Sequence, residues 1–96
     1  MGIIYKEELY KIVGAYFEVY NELGNRFDEP IYHESLMKEF SFQSLPAQSE
    51  PQVDVFYKGE KLVKYFKPDM VAYSKIIVEL KAVKALNEFH RQQVLN

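Results

Sequence analysis

Cysteine is absent from all 96 residues. That excludes disulfides, thiolate zinc sites and a cysteine nucleophile, and it agrees with a reducing compartment. Tryptophan is missing too, so 8 Tyr and 7 Phe supply the bulky part of any core. No apolar run approaches the ~20 residues that span a bilayer. The opening Met1-Gly2-Ile3-Ile4-Tyr5-Lys6 lacks the basic segment and long apolar stretch of a signal peptide, and Lys6 stands where a myristoylation motif needs Ser or Thr. A soluble, cytoplasmic protein is expected. There is no glycine-rich phosphate loop, no nucleophile elbow, no internal repeat and no low-complexity segment.

What is present suits one small folded domain over residues 1–96. Apolar residues make up 48% of the chain, enough for a core at this length. The net charge is only −2, yet it is unevenly spread. Residues 1–51 carry four basic and nine acidic side chains, and residues 52–96 carry eight basic and five acidic ones. The basic half includes Lys58, Lys61, Lys64 and Lys67, which can be read as a phosphate-facing surface or as a solvated strand face.

Periodicity predicts a helix from Tyr5 to Leu23, with Leu9, Ile12, Val13, Tyr16, Phe17 and Tyr20 at three- and four-residue steps. Gly24-Asn25 is a stop, because glycine tolerates the left-handed conformation after a helix. Asp28 is a candidate cap for a second helix, with Pro30 in its first turn, running to about Gln43. Pro46 and Pro51 exclude a helix interior and suggest an extended edge from Leu45. Val53, Val55 and Tyr57 alternate as a strand, Lys58-Gly59 is a turn, and Lys61 to Tyr73 reads as a second strand bent at Pro68. Ser74-Lys75 marks a return into a third strand, Ile76 to Val83, and a last helix begins at Ala85. The order is an α+β one.

The third strand holds the informative residues. Ile76, Val78, Leu80 and Ala82 form a wholly apolar face, whereas Ile77, Glu79, Lys81 and Val83 point the other way. Charges in so apolar a strand are costly unless paired or used. If a three-residue loop is centred on Ser74, Asp69 faces Glu79, with Cβ atoms ~5 Å apart. Two such carboxylates repel each other but suit a cation such as Mg²⁺, which favours carboxylate and water oxygens. A two-residue loop on Ser74-Lys75 would pair Asp69 with Leu80 instead and put the acids on opposite faces. A structural Glu79–Lys81 pair is the other reading of the triplet.

Pro68-Asp69, followed ten residues later by Glu79-Leu80-Lys81, matches the PD-(D/E)XK signature. The likeness extends further. Ile12-Val13-Gly14-Ala15, Glu18-Val19, Glu22-Leu23-Gly24, Phe27, Glu29, Tyr32, Glu34 and Leu36 resemble the N-terminal helices of the GxxExxY family of that nuclease superfamily. Tyr57-Lys58-Gly59 resembles its strand-turn element, and Pro68-Asp69 with Ile76 to Val83 its catalytic hairpin. The resemblance implies a restriction endonuclease-like core of two N-terminal helices, a three-stranded antiparallel hairpin sheet and a C-terminal helix. It implies Mg²⁺ or Mn²⁺ held by Asp69, Glu79 and the Leu80 carbonyl. Lys81 would orient or activate the attacking water or stabilise charge on the phosphate. Glu29, the acid of the namesake motif, would supply a further metal or water contact; a carboxylate favoured by the helix dipole is its other reading. Tyr32 is expected to pack rather than to react.

Three departures stand out. Arg26 replaces the first glycine of the motif, so an altered bend between the helices is expected, since arginine tolerates positive φ less well than glycine. Tyr20 replaces the family's usual histidine. Gln93 falls where related nucleases begin a Q-x-x-x-Y motif whose tyrosine would follow Asn96, and the family continues into another strand. A C-terminally truncated chain is therefore expected, or one completed through an exposed sheet edge by a partner or a second copy. The implied activity is metal-dependent hydrolysis of phosphodiester bonds in DNA, with RNA second. The alternative is a non-catalytic binding or assembly module on the same fold. His33 and His90 share no ligand spacing and are expected to be ordinary histidines.

Overall fold

The structure, a computed structural model, describes residues 4–80. Lys81 and the helix expected from Ala85 lie outside them. Helix α1 spans Lys6–Leu23 and helix α2 spans Glu29–Phe42, within two residues of the expected limits. Gly24 ends α1 at φ 68°, with its N–H donating to Tyr20 O at 2.7 Å. Arg26 is not left-handed; its Nε donates to Leu23 O at 3.1 Å and places a cation at the negative end of the helix dipole. Asp28 holds the N-cap position of α2, but through its backbone: Ile31 N–H donates to Asp28 O, and the carboxylate makes no cap hydrogen bond.

The buried line of α1 is Ile12, Ala15, Tyr16 and Val19. The expected stripe is thus rotated, and Leu9, Val13 and Phe17 are exposed. The helix carries two overlapping apolar rows, and the one containing Ala15 can approach α2 more closely because alanine adds so little bulk. From α2 the buried residues are Tyr32, Leu36 and Phe40, again at four-residue steps.

Five strands form two antiparallel sheets. Strands β1 (Ala47–Ser49), β4 (Met70–Ala72) and β5 (Ile76–Val78) make a three-stranded sheet with β4 in the middle. Strands β2 (Val53–Tyr57) and β3 (Glu60–Phe66) make a separate two-stranded arm. The single strand expected over Lys61 to Tyr73 is therefore divided. Pro68 divides it: its nitrogen has no hydrogen to donate to a ladder, and its ring is fully buried instead. The strand expected over Ile76 to Val83 closes at Val78 among the described residues.

Met70, Ala72, Val78 and Leu80 meet Leu36, Phe40 and the α1 residues in one core. The face of β5 foreseen as apolar is buried at Val78, while Ile77 on the other face is exposed; Leu80, beyond the strand, is buried too. Lys75 in the β4–β5 turn ties that sheet to α1 through Glu8 at 2.9 Å and lies over the Tyr5 ring.

Phe40 is only 1% exposed. Phe40→Ala is expected to lower unfolding free energy by about 3–5 kcal/mol, a large share of the roughly 5–15 kcal/mol of a small domain. Urea titration measures it, and a loss below about 1 kcal/mol would contradict this core assignment.

The hydrogen bond from Lys75, aided by its charge, pulls the Glu8 carboxyl below its usual 4.5, and the same bond raises Lys75 above 10.5. A lowered carboxyl stabilises above its unfolded pKa and loses that as pH falls through the folded value; a raised lysine stabilises below its unfolded pKa and loses that as pH rises through the folded value. Glu8→Gln should therefore melt slightly below wild type at neutral pH and converge with it as pH falls below 4.5. An unchanged gap in acid would mean that the pair does not act through charge.

Candidate functional site

The site forms where the three-stranded sheet ends. Across β4 and β5 the pairs are Ala72↔Ile76, Val71↔Ile77 and Met70↔Val78, the register that a loop centred on Ser74 requires. Tyr73 and Ser74 both have positive φ, 55° and 58°, and Lys75 N–H donates to Ala72 O at 3.1 Å. Asp69 and Glu79 are the residues next to Met70↔Val78, the last pair of that ladder. Met70 and Val78 point into the core, so their neighbours Asp69 and Glu79 turn to the other side, and both are half-buried.

The other edge of β4 contributes as well. Strand β1 pairs Ala47↔Ala72, Gln48↔Val71 and Ser49↔Met70, and Glu50 N–H donates to Asp69 O at 2.9 Å. Glu50 follows β1, Asp69 precedes β4 and Glu79 follows β5, so all three flank the same end of the sheet. Asp69 is held from both flanks, because its Oδ2 also accepts the Leu80 N–H at 2.9 Å. That bond fixes the aspartate rotamer and satisfies a backbone donor that no longer has a ladder partner.

Glu29 joins Asp69 around an open depression of about 460 Å³, together with His33, Glu34, Ser49 and Glu50. Glu29 and His33 are one turn apart on α2, hence on one face. His33 Nε2 and Ser49 Oγ lie 2.7 Å apart in a hydrogen bond whose direction follows the imidazole tautomer. Glu79 is not part of this lining. Lys81 lies outside the described residues. Tyr32 is structural, as expected: its hydroxyl donates to Gly24 O at 2.6 Å and accepts Phe27 N–H at 3.3 Å, which closes the corner between the helices.

His33, Glu34, Ser49 and Glu50 were not foreseen at this place. The four-residue step from Glu29 to His33 was the one local signal for them. Glu50 reaches Asp69 only through long-range strand pairing, which leaves no mark in its own neighbourhood.

Among the described residues no three Asp, Glu, His or Cys side chains converge closely enough to cage a metal ion. Mg²⁺ does not need such a cage; it commonly takes one or two carboxylates and keeps several waters. Neighbouring carboxylates with no sulfur ligand are a donor set of the matching, hard-oxygen kind.

A family model for the PD-(D/E)XK nuclease superfamily matches residues 6–96. The chain belongs to that superfamily. No curated protein and no solved structure matches it. The α+β arrangement of two helices and antiparallel strands agrees with a PD-(D/E)XK nuclease-like fold, and the matched span includes Pro68-Asp69 and Glu79-Leu80-Lys81. Nucleases of this superfamily generally depend on a divalent metal. No helix among the described residues is long and apolar enough to cross a membrane.

The Asp69–Leu80 bond separates fold from chemistry. Asp69→Ala removes the acceptor from a partly buried N–H and is expected to lower stability by about 1–3 kcal/mol. Asp69→Asn keeps an acceptor oxygen and should unfold close to wild type. Equal destabilisation by both, read by urea denaturation, would show that the bond contributes little.

Proposed function

We propose that this chain is a divalent-metal-dependent nuclease of the GxxExxY branch that hydrolyses phosphodiester bonds in DNA, with RNA as a second substrate. The observation that supports the reading is the register of β4 and β5: its last pair is Met70↔Val78, so one further step would oppose Asp69 and Glu79. Two opposed acids gain nothing from each other. A shared cation gives the arrangement a purpose.

Asp69 and Glu79 would hold Mg²⁺ or Mn²⁺, with the Leu80 carbonyl as a further oxygen ligand. The Leu80 N–H occupies Asp69 Oδ2, which leaves Oδ1 for the cation. When bound, the ion supplies Lewis-acid neutralisation at the phosphodiester and makes water more acidic. Lys81, two residues along from Glu79, would orient the attacking water or balance charge on the phosphate. Glu29, facing Asp69 across the depression, would receive a hydrogen bond from water on the α2 side. A negatively charged substrate would be repelled by this acidic surface without a cation, so binding at the site and metal occupancy are coupled.

Calorimetry of Mg²⁺ and Mn²⁺ binding compares wild type with Asp69→Asn, a variant expected to keep the fold. Asp69→Asn should lose at least tenfold in affinity, while Asp69→Ala and Glu79→Ala abolish cleavage of a labelled DNA substrate. Lys81→Ala should keep metal binding but cut the cleavage rate by about 100-fold or more. Equal metal binding by wild type and Asp69→Asn, or cleavage surviving both carboxylate substitutions, rejects the assignment.

A further inference from the structure

The β2–β3 arm is the least satisfied part of the molecule. It packs against no other strand or helix of the described residues as strongly as its two strands pair with each other. Both of its strands carry large apolar side chains in water: Phe56 is 62% exposed, Tyr57 63%, Tyr65 53% and Val63 97%. Isolated two-stranded ribbons are marginal, and one that exposes aromatic rings on its surface is built to meet something.

Its charge identifies the occupant. Between residues 53 and 67 four lysines stand against Asp54 and Glu60. Lys61 is engaged with Asp54 at 3.6 Å, and Lys58 lies over the Tyr57 ring. Among the described residues Lys64 and Lys67 have no acidic partner. The arm is thus a cationic projection from an otherwise acidic surface. Its seven-residue strand β3 reaches roughly 23 Å and runs through Lys67 and Pro68 directly into Asp69.

The arm's chemistry also selects the form of nucleic acid. Residues 53–66 include no Arg, Asn or Gln, three of the side chains that commonly read base edges in a duplex groove. What they offer is ring faces. Asp54↔Tyr65 and Phe56↔Lys61 are cross-strand pairs on either side of a register shift, so Phe56, Lys61 and Tyr65 are neighbours along the ribbon. Neither ring meets another aromatic ring among the described residues. Alternating rings and ammonium groups match unpaired bases stacked along a phosphate backbone.

We propose that the β2–β3 arm grips single-stranded nucleic acid, with bases on Phe56 and Tyr65 and phosphates on Lys58, Lys64 and Lys67. The arm would thereby feed unpaired strands or frayed ends to Asp69. The inference rests on the nuclease reading for its meaning but not for its test.

Fluorescence anisotropy of the full chain in EDTA, with a labelled 20-nucleotide single strand and its blunt duplex, measures binding without cleavage. Wild type should bind the single strand at least about tenfold more tightly than the duplex. Phe56→Ala/Tyr65→Ala should lose that preference, and Phe56→Leu/Tyr65→Leu, which keeps apolar bulk without a ring system, should not restore it. Lys64→Gln should reduce the slope of log affinity against log salt by about 0.7 for the single strand. Equal affinity for strand and duplex, or full rescue by leucine, overturns the proposal. A dimer in sedimentation that the alanine pair makes monomeric, with nucleic-acid affinity unchanged, overturns it in favour of a second copy of the chain. Metal calorimetry on Asp69 fails or succeeds independently of these readings.

Discussion

Two successive left-handed residues, Tyr73 and Ser74, decide which side chains meet between β4 and β5. Side chains alternate along a strand, so a slip of one residue would exchange every neighbour and send Asp69 and Glu79 to opposite faces. Non-glycine residues resist positive φ and hold it only where their surroundings insist. Here the Tyr73 N–H donates to Pro46 O at 2.8 Å, and the Lys75 side chain reaches Glu8 on α1. The buried pair Met70 and Val78 supplies the larger constraint, because the wrong register would expose both. The place of Asp69 and Glu79, each one residue past the ladder, thus follows from core packing.

That dependence explains the division of labour in the molecule. The helices and the three-stranded sheet bury the apolar residues and hold the acids at their rim. The arm buries little and carries Lys64 and Lys67, which have no acidic partner among the described residues. Pro68 is the boundary: it ends one ladder, anchors in the core, and delivers the next residue, Asp69, to the sheet. The three-residue length of β4 follows from its place between that proline and the turn.

Local pattern carried the helices well, since eighteen and fourteen residues of apolar periodicity leave little freedom of assignment. The register of the β4–β5 hairpin was also legible, because it follows from its own turn. The buried face of α1 was not, as two apolar rows compete on that helix and only the partner chooses between them. The split of the second strand was half legible: Pro68 signalled a bend, but whether a bent strand stays in one sheet depends on what lies beside it. Glu50 and His33 were invisible for the same reason. Their place beside Asp69 arises from β1 crossing to pair with β4, a contact between residues some twenty apart in the chain.

The hydrogen bond from Glu50 N–H to Asp69 O has a mechanical corollary. Both feet of the ribbon leave the sheet at this bond, one through Pro51 and the other through Pro68, so they are stapled together where they emerge. Any swing of the ribbon must pivot near the peptide unit of Asp69 itself. Tension applied at the far tip is therefore transmitted to the aspartate's own backbone, with no loose linker between to absorb it.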